Sequence, residues 1–306
     1  MNQNRDQNIR KNLELRAKVV ASIRCHFESR GYLEVETPIR IPAPAPEVHI
    51  DAQPSGSWFL HTSPELCMKR LLANGFERIF QICKCFRKGE RGHLHLPEMT
   101  MLEWYTAGHD YRDMMQQCED LITSVALSIC HAKVIQYQGQ EIDLTGPWYR
   151  MTVNEAFDKY SSVSLNTAVQ KDTFDEIIGC DIAPKLGFEK PVFLFDYPVE
   201  MGSLARLKPG DQSVAERFEL YIAGIELCNA FSELTDPVEQ QQRFEVEMDE
   251  RRLSGKTVYP LTESFIETLA SMPESAGNAL GIDRLVMLFA DTAEIDDVVT
   301  FTPETC

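Results

Sequence analysis

Two strand-like runs separated by a basic loop are the feature that most restricts how this chain can fold. The runs cover residues 79–87 and 99–105, and in each the side chains alternate with the period of a β-strand. The segment between them carries Arg87, Lys88, Arg91, His93 and His95. The pattern predicts a β-hairpin, whose loop is either a solvated tip or a site for a polyanion such as a nucleotide triphosphate.

Alternation assigns the side chains of the two runs to two faces of the predicted hairpin. The apolar set consists of Phe80, Ile82, Phe86, Leu102 and Trp104. These side chains can enter the core together. The opposite face leaves Arg87, Glu103 and Tyr105 free to face a common polar pocket.

Composition excludes several classes of protein. The chain has 306 residues, 43% of them hydrophobic and 25% charged, which is ordinary for one large globular domain or two small ones. No apolar run reaches the roughly 18–20 residues of a membrane span, and the polar N-terminus lacks the apolar core of a signal peptide. We therefore expect a cytoplasmic protein without a membrane segment. The net charge of -17 opposes broad binding to nucleic acid.

The nine cysteines do not form a recognisable paired framework. The nearest two, Cys83 and Cys85, alternate along a strand and lack the C-x-x-C spacing of zinc and redox sites. We interpret the cysteines as reduced thiols, buried or partly buried.

The remaining pattern predicts helices around the strands and a single domain. Residues 5–30 and 110–131 have apolar side chains at helical spacing. A third helix is expected in "TSPELCMKRLLANGF", with Ser63 as its cap and Pro64 in its first turn. The segment "YLEVETPIRIP" predicts an extended strand, and "PAPAPE" fits neither a helix nor a central strand. Residues 135–195 carry no chemical signature and are interpreted as an insertion.

A second hairpin is predicted in "RFELYIAGIELCNAFSEL", with Ala223 and Gly224 as its two-residue turn. That turn pairs Tyr221 with Glu226 and places Glu219 on the same face as Glu226. Two such carboxylates are either part of a solvated face or close enough to hold one hard cation.

Two further features lie towards the C-terminus. Glu233 falls on the wrong face by strict alternation and needs a bulge or bend near Asn229 to join the pocket. The segment "SAGNALGIDRLVMLFAD" predicts a strand followed by an amphipathic helix, with Arg284 at the junction. Alone, this junction does not indicate a function.

Together these pieces resemble the three ordered motifs of class II aminoacyl-tRNA synthetases. "GYLEVETP" is similar to the first motif, "FRKGERGHLHLPEMTMLEWY" to the second and "GNALGIDRL" to the third. The resemblance is nearest to the lysine-specific branch and extends from residue 10 over nearly the whole chain. It implies an α+β fold, in which helices flank an antiparallel sheet, a homodimer with Pro38 at its interface, and ATP with Mg²⁺ as cofactors.

The N-terminal region refines this resemblance. The lysyl enzymes carry an anticodon-binding barrel before the catalytic domain, and the 37 residues before Pro38 are too few for one. We therefore expect residues 1–306 to form one catalytic domain without an anticodon-binding domain. Such a chain resembles the elongation factor P–(R)-β-lysine ligases, which activate (R)-β-lysine with ATP and attach it to a lysine of elongation factor P.

The resemblance also implies roles for residues around the nucleotide. Arg87 would bind the α-phosphate, His95 would reach the γ-phosphate, and Arg284 would stack on adenine. Magnesium would be held by Glu219 and Glu226. The other residues implied to line the ATP site are Lys88, Gly89, Leu96, Met99, Leu227 and Gly281. Gly89, Leu96 and Met99 depart from the lysyl pattern, and Glu90 is a candidate to replace the carboxylate missing at Gly89.

The amino-acid site follows from the same resemblance. Tyr105 and Glu233 would grip the distal ammonium, because a buried cation needs a carboxylate and hydrogen-bond acceptors. The other implied residues are Ser63, Pro64, Glu65, Glu103, Asn229 and Ala279. Ala279 stands where the lysyl enzymes have glycine, and one methyl can change which isomer, (R)-β-lysine or lysine, fits the pocket.

Two other functions remain open from the sequence. One is a truncated synthetase that charges tRNA, which the acidic charge and the expected lack of an anticodon domain disfavour. The other is an inactive paralogue that acts as a regulatory binding module, which the presence of Arg87, Glu219, Glu226 and Arg284 disfavours.

Overall fold

A mixed β-sheet lies at the centre of the structure, a computed structural model that describes residues 3–306. Within this range the strands are β1 (Leu33–Glu34), β2 (Arg40–Ile41), β3 (Pro54–Ser55), β4 (Trp58–Leu60), β5 (Arg78–Phe86), β6 (Glu98–Ala107), β7 (Val134–Tyr137), β8 (Gln140–Asp143), β9 (Tyr149–Thr152), β10 (Val192–Pro198), β11 (Leu207–Lys208), β12 (Asp211–Ile222), β13 (Ile225–Ser232) and β14 (Ser275–Gly281). The main sheet has the order β1-β5-β6-β14-β13-β12-β10-β9, and β11 pairs with β12.

Helices cover both faces of this sheet. They are α1 (Gln3–Glu28), α2 (Glu65–Ala73), α3 (Tyr111–Cys130), α4 (Val153–Tyr160), α5 (Leu165–Gln170), α6 (Phe174–Ile177), α7 (Pro237–Leu253), α8 (Glu263–Leu269) and α9 (Ile282–Ala290). Shorter helical turns cover Ile178–Ile182, Ala183–Lys185, Val199–Met201 and Ile295–Val298. The predicted α+β class is confirmed. The central pairs are antiparallel as expected, while β1 with β5 and β9 with β10 are parallel.

The first predicted hairpin is present. Strands β5 and β6 pair with Phe80 opposite Trp104 and Ile82 opposite Leu102. Phe80, Leu102 and Trp104 are fully buried, together with side chains of α1, α3 and α9. Burying each of these large apolar side chains stabilises the fold by about 1.5–3 kcal/mol. The opposite face of the hairpin, which carries Tyr105, meets α2, α7 and α8.

The second predicted hairpin is also present. Ala223 and Gly224 both have positive φ, 52° and 77°, as a two-residue hairpin turn requires. Tyr221 lies opposite Glu226, whereas Leu220 lies opposite Cys228. The register therefore skips one residue of β13, Leu227, and this is a β-bulge. Strict alternation along β13 placed Glu233 on the wrong face unless a bulge or bend occurred near Asn229. The bulge at Leu227 provides this change of face.

The start of α2 differs from the expectation. Pro64, and not Ser63, is the residue that precedes the helix, and no side chain caps it. The Ser63 hydroxyl instead accepts a hydrogen bond from the backbone N–H of Glu65 and donates one to the Glu103 carboxylate. It therefore links the start of α2 to strand β6. The helix ends at Asn74 and Gly75 as predicted, with Gly75 at a φ of 90°.

The segment "YLEVETPIRIP" is extended but forms only two short strands, β1 and β2. Pro38 and Pro42 lack the N–H that a strand donates to its neighbour, which limits pairing along this stretch. The proline-rich residues 42–47 are in neither a helix nor a strand, as predicted.

Residues 135–195 contain most of the β7–β8 hairpin, strand β9, helices α4 to α6 and the start of β10. Helices α4 to α6 enclose a separate apolar cluster that includes Phe157 and Phe174. Strands β9 and β10 lie at the edge of the main sheet. Among residues 3–306, no helix has both the length and the apolar character that a membrane crossing requires.

Candidate active site

A cavity of about 250 Å³ lies on the Tyr105 face of the sheet. Its floor is formed by β6, β14 and β13, where Met101 lies opposite Gly281 and Tyr105 lies opposite Gly277. These two pairs are four residues apart along β6, about 13 Å at the rise of a β-strand. The cavity therefore has two ends. The cationic end is defined by Arg87, His95 and Arg284, and the carboxylate end by Glu65, Glu103 and Tyr105.

Arg87 reaches the cationic end from the residue after β5. Its backbone N–H donates to the Pro97 carbonyl oxygen at 2.9 Å, which fixes the backbone at the start of the loop. Its guanidinium lies 3.9 Å from Glu90 Oε2. The buried Nε of Arg87 has no hydrogen-bond acceptor among the described residues. A buried donor without an acceptor is costly, so this nitrogen is available to an anion in the cavity.

Arg284 and His95 close the same end. Arg284, in the first turn of α9, donates to the Glu226 carbonyl oxygen at 2.8 Å and to the Leu94 carbonyl oxygen at 3.2 Å. Its Nη2 lies 2.7 Å from His95 Nε2. Burial, followed by the charge of Arg284, lowers the pKa of His95 to about 4. His95 is therefore neutral near pH 7, and its Nε2 accepts the hydrogen bond from Arg284.

The basic loop does not deliver all of its charge to the cavity. Arg91 donates to Asp296 and Glu304, at 2.8 and 3.0 Å. Lys88 and Gly89 are not among the residues that line the cavity, and the backbone N–H of Lys88 binds the Asp51 carbonyl oxygen. Leu96 and Met99 do line it, as do Leu227 and Gly281. Glu90, expected only as a replacement for a missing carboxylate, also borders the cavity.

The two carboxylates expected to bind magnesium differ in exposure. The Glu226 side chain borders the cavity and is 39% exposed, whereas Glu219 is buried behind it. Glu219 accepts hydrogen bonds from Arg217 and from the Tyr221 hydroxyl, both at 2.6 Å. Burial, and then repulsion by Glu226, raises the pKa of Glu219. Two carboxylates that repel each other beside a cavity suit a hard divalent cation, which would relieve that repulsion.

At the carboxylate end, Glu103 receives two hydrogen bonds. The Ser63 hydroxyl donates to Oε1 at 2.6 Å and the Tyr105 hydroxyl donates to Oε2 at 2.9 Å. Burial raises the pKa of Glu103 well above its usual range, and the nearby charge of Glu65 raises it further. This pocket is thus rich in acceptors and favours a cationic group.

Glu233 lies behind this wall and is paired with a lysine of the protein. Lys69 Nζ is 2.5 Å from Glu233 Oε2 and 2.5 Å from Glu65 Oε1, and the Lys69 and Glu233 side chains are completely buried. Burial raises the pKa of Glu233 to about 8, which the charge of Lys69 opposes. Gly277 permits this arrangement, because a Cβ there would lie 2.3 Å from the Tyr105 ring and 2.4 Å from Glu233 Oε1.

The remaining expected substrate residues divide between the cavity and its surroundings. Asn229 lines the cavity opposite Ala279, and its Oδ1 accepts a hydrogen bond from Arg217. Ala279 also lines it, next to Glu103 on β6. Pro64 does not line it and serves to start α2.

Sequence reasoning did not identify Glu47, which also lines the cavity. Burial, and then the charge of Glu65, raises the pKa of Glu47 to about 7. Its loop is held by the completely buried Arg251 side chain, which donates to the Glu47 carbonyl oxygen at 2.7 Å and to Asp51 at 2.6 Å. Glu47 follows the proline-rich "PAPAP", where no periodic pattern indicates which way a side chain points.

Comparison with known proteins supplies the family. The family model described as class II tRNA synthetases (D, K and N) matches residues 1–305. The chain is 39% identical to an elongation factor P–(R)-β-lysine ligase of Erwinia tasmaniensis over 96% of both chains. It is also 39% identical to the ligase of the same name from Salmonella dublin, over 95% of this chain and 94% of that protein.

A second group of relatives is similar over less of its own length. The chain is 35% identical to a lysine–tRNA ligase of Magnetococcus marinus, with 96% of this chain but 64% of that protein matched. These matches confirm the resemblance drawn from the three motifs: the chain belongs to the class II tRNA synthetase family (D, K and N).

Proposed function

We propose that this protein activates (R)-β-lysine, or lysine, with ATP and ligates it to a lysine side chain of elongation factor P. The observation that carries the proposal is the two-ended cavity, in which a cationic end adjoins a buried carboxylate end. An amino acid with two ammonium groups and a nucleotide with several phosphates have the complementary charges. The similarity to elongation factor P–(R)-β-lysine ligases over 96% of both chains supports this choice of substrates.

In the first step, an oxygen of the amino-acid carboxylate attacks the α-phosphorus of ATP. A mixed anhydride, the adenylate, forms, and the bond to pyrophosphate breaks. Arg87 stabilises the negative charge that develops on the α-phosphoryl oxygens, because its buried Nε already lacks an acceptor. His95 reaches the γ-phosphate and Arg284 stacks on adenine. The other residues assigned to the nucleotide are Leu96, Met99, Glu226, Leu227 and Gly281, which line the cavity. Lys88 and Gly89, which the resemblance also implied, are not in its lining.

Magnesium is the metal that suits this triphosphate site. Glu226 at the cavity edge and Glu219 behind it would hold the ion, with oxygen donors only. A bound magnesium ion supplies positive charge to the phosphates.

The carboxylate end orients the amino acid. Glu233 and Tyr105 attract the distal ammonium, and Glu65 and Asn229 lie near the amino and carboxylate groups. Of the three buried or half-buried carboxylates at this end, Glu65 and Glu233 share a single protein cation, Lys69, while Glu103 accepts hydrogen bonds from two neutral hydroxyls. A second cation is therefore favoured. Ser63 and Ala279 complete this part of the site.

In the second step, the acceptor amine attacks the carbonyl carbon of the adenylate. An amide bond forms and AMP leaves with the anhydride oxygen. The acceptor lysine first loses its ammonium proton to solvent, which desolvation beside Arg87 favours, and the attacking nitrogen loses a second proton to solvent as the amide forms.

The test combines purified protein, ATP, Mg²⁺, (R)-β-lysine and elongation factor P, with the factor analysed by intact mass. We expect one added lysyl group on the factor and none when its acceptor lysine is changed to alanine. Amino-acid-dependent pyrophosphate exchange, measured without the factor, separates activation from transfer. Charging of tRNA without any mass gain on the factor would favour the truncated synthetase, and no exchange with any diamino acid would favour the inactive paralogue.

We also propose that the protein acts as a homodimer through residues 32–41. Leu33 and Ile39 in this segment are 51% and 44% exposed, although both are apolar. Light scattering at micromolar concentrations should give about twice the chain mass of 34.9 kDa. A fully active monomer would contradict this interface.

A further inference from the structure

Three soft or borderline metal ligands converge outside the residues assigned to catalysis. Cys83 and Cys85 lie on β5, and His61 lies before α2, 24 positions before Cys85. One ligand atom from each residue lies within 4.8 Å of the others. His61 and Cys85 are 1% and 0% exposed. The spacing of the two cysteines did not indicate a metal site, because the third member comes from a distant part of the chain.

The sulfur spacing in this cluster is close to an edge of a tetrahedral metal site. The two Sγ atoms are 3.9 Å apart, and a ring nitrogen of His61 lies within 4.8 Å of both. With metal–sulfur bonds of about 2.3 Å, the sulfur–sulfur edge of such a site is about 3.8 Å. A disulfide needs the sulfurs about 2.05 Å apart. The thiols are therefore too far apart to be bonded to each other, and their spacing is compatible with a shared ion.

His61 is held in place by a backbone hydrogen bond. Its Nε2 lies 2.6 Å from the Lys84 carbonyl oxygen, which can only accept. Nε2 consequently carries the proton in this arrangement and the lone pair is on Nδ1. Metal-binding histidines commonly donate their other N–H to a carbonyl oxygen in this way.

Met101 adds a fourth soft donor beside the cluster. Its Sδ lies 4.0 Å from Cys85 Sγ, and Met101 also lines the catalytic cavity. Thiolate and thioether ligands select soft ions such as Cu⁺ and Zn²⁺ over Mg²⁺. We propose that His61, Cys83 and Cys85, with Met101 beside them, form a binding site for one thiophilic d¹⁰ ion, Zn²⁺ or Cu⁺, directly under the wall of the cavity.

The molecule contains a matched pair of cysteines for comparison. Cys118 and Cys228 are also buried with their Sγ atoms 3.9 Å apart. The polar neighbour there is the Asn278 side-chain amide, 2.9 Å from Cys118 Sγ, and not an imidazole. Among the described residues, the metal-ligand group consists of His61, Cys83 and Cys85. Sulfur spacing is thus the same in both pairs, while the nitrogen ligand is present in only one.

The experiment uses the full chain, reduced and freed of metal by chelation. To remove surface thiols, it is performed in a background with serine at the exposed positions Cys25, Cys130, Cys180 and Cys306. Zn²⁺ and, in a separate anaerobic arm, Cu⁺ are titrated against a chromophoric chelator. We expect one equivalent per chain in at least one arm.

Variants then identify the ligands. Changing Cys83 and Cys85 to serine should weaken binding at least 100-fold, whereas changing Cys118 and Cys228 to serine should alter it less than threefold. His61→Gln, which keeps much of the ring's volume and polarity, should weaken metal binding at least tenfold. This variant tests the site even if the double cysteine variant does not fold. Near-UV circular dichroism of the metal-free proteins checks folding. Binding that survives both His61→Gln and the Cys83/Cys85 change, or no stoichiometric binding of either ion, would overturn the proposal.

Discussion

The two ends of the cavity differ in how much of their charge the protein itself neutralises. At the cationic end, the Arg87 side chain is 25% exposed and its buried Nε lacks an acceptor among the described residues. At the carboxylate end, Glu233 is completely buried and is already paired with Lys69. The first end thus has a donor ready for an anion. The second must bind a cation beside one that is permanently present.

This difference shows how one cavity can select ligands of opposite charge. An arginine that keeps an unpaired donor gains a hydrogen bond when a phosphate arrives. A buried carboxylate without a partner would be protonated instead; burial raises the pKa of Glu233 to about 8, and the charge of Lys69 limits that rise and so favours the ionised form. With Glu65 and Glu103 also present, the carboxylate end retains an excess of acceptors. Lys69 therefore prepares this end for a cation without cancelling its attraction.

The largest effect is expected at the cationic end. Arg87→Ala should lower the rate of amino-acid-dependent pyrophosphate exchange by roughly 10²–10³-fold, as for loss of one donor to developing negative charge. The Michaelis constant for the amino acid should change little, because Arg87 is assigned to the other end.

Arg91→Ala is the matched control for this loop. Arg91 is bound to Asp296 and Glu304 and does not line the cavity, so exchange should remain within about twofold of the unmodified protein. Equal losses in both variants would mean that the loop acts through its total charge and that the cationic end is not a specific site.

A smaller effect is expected for Glu233→Gln, which keeps the shape and removes the charge. Losing a buried partner of the substrate ammonium costs about 2 kcal/mol or more, so the Michaelis constant for the diamino acid should rise roughly 30-fold. The preference for lysine over norleucine, which lacks the distal ammonium, should fall in the same variant. The constant for ATP should stay nearly unchanged.

Because Glu233 also pairs with Lys69, the single variant loses stability as well, by about 3–5 kcal/mol. The double variant Lys69→Met, Glu233→Gln removes both charges and should recover much of that stability, as measured by urea unfolding. Its Michaelis constant should remain high. If the double variant recovered substrate affinity together with stability, Glu233 would serve only to pair with Lys69 and would not bind the substrate ammonium.

The smallest effect is expected for Glu47, whose pKa depends on charged residues at both ends of the cavity. Burial and Glu65 raise its pKa from 4.5 to about 7, while Arg87 opposes the shift. A carboxyl whose pKa is raised on folding stabilises the protein fully below pH 4.5 and loses that contribution as pH rises through 7.

Glu47→Gln should therefore gain stability relative to the unmodified protein as pH rises from 5 to 8, by an amount on the order of 1–3 kcal/mol. Urea unfolding of the two proteins across this range tests the expectation. Stability curves that remain parallel would show that the Glu47 carboxyl stays ionised throughout.

Local patterns predicted the elements of the fold well. The common core face of Phe80 and Trp104 and the turn at Ala223 and Gly224 follow from alternation and turn chemistry, which depend on neighbours in sequence. The family motifs then gave the order of elements. What could not be predicted depends on contacts between distant residues.

Lys69 and Glu47 illustrate this limit. Helical spacing relates Lys69 to Glu65 four residues away, but nothing local indicates that Glu233 completes the pair from another element. Glu47 enters the cavity because Arg251, far along the chain, holds its loop. Ser63 was expected to cap α2, whereas its hydroxyl donates to Glu103 on β6, 40 residues further along the chain.

The bulge at Leu227 has a consequence for how β13 can evolve. Before it, Glu226 faces the cavity; after it, Asn229 and Phe231 do, so the strand changes from even to odd numbering within its length. One inserted residue thereby lets a single strand contribute side chains to both ends of the cavity. Deleting it would exchange inside for outside along the remainder of β13, so a sequence change that removes the bulge would alter the lining of the carboxylate end while leaving Glu226 in place.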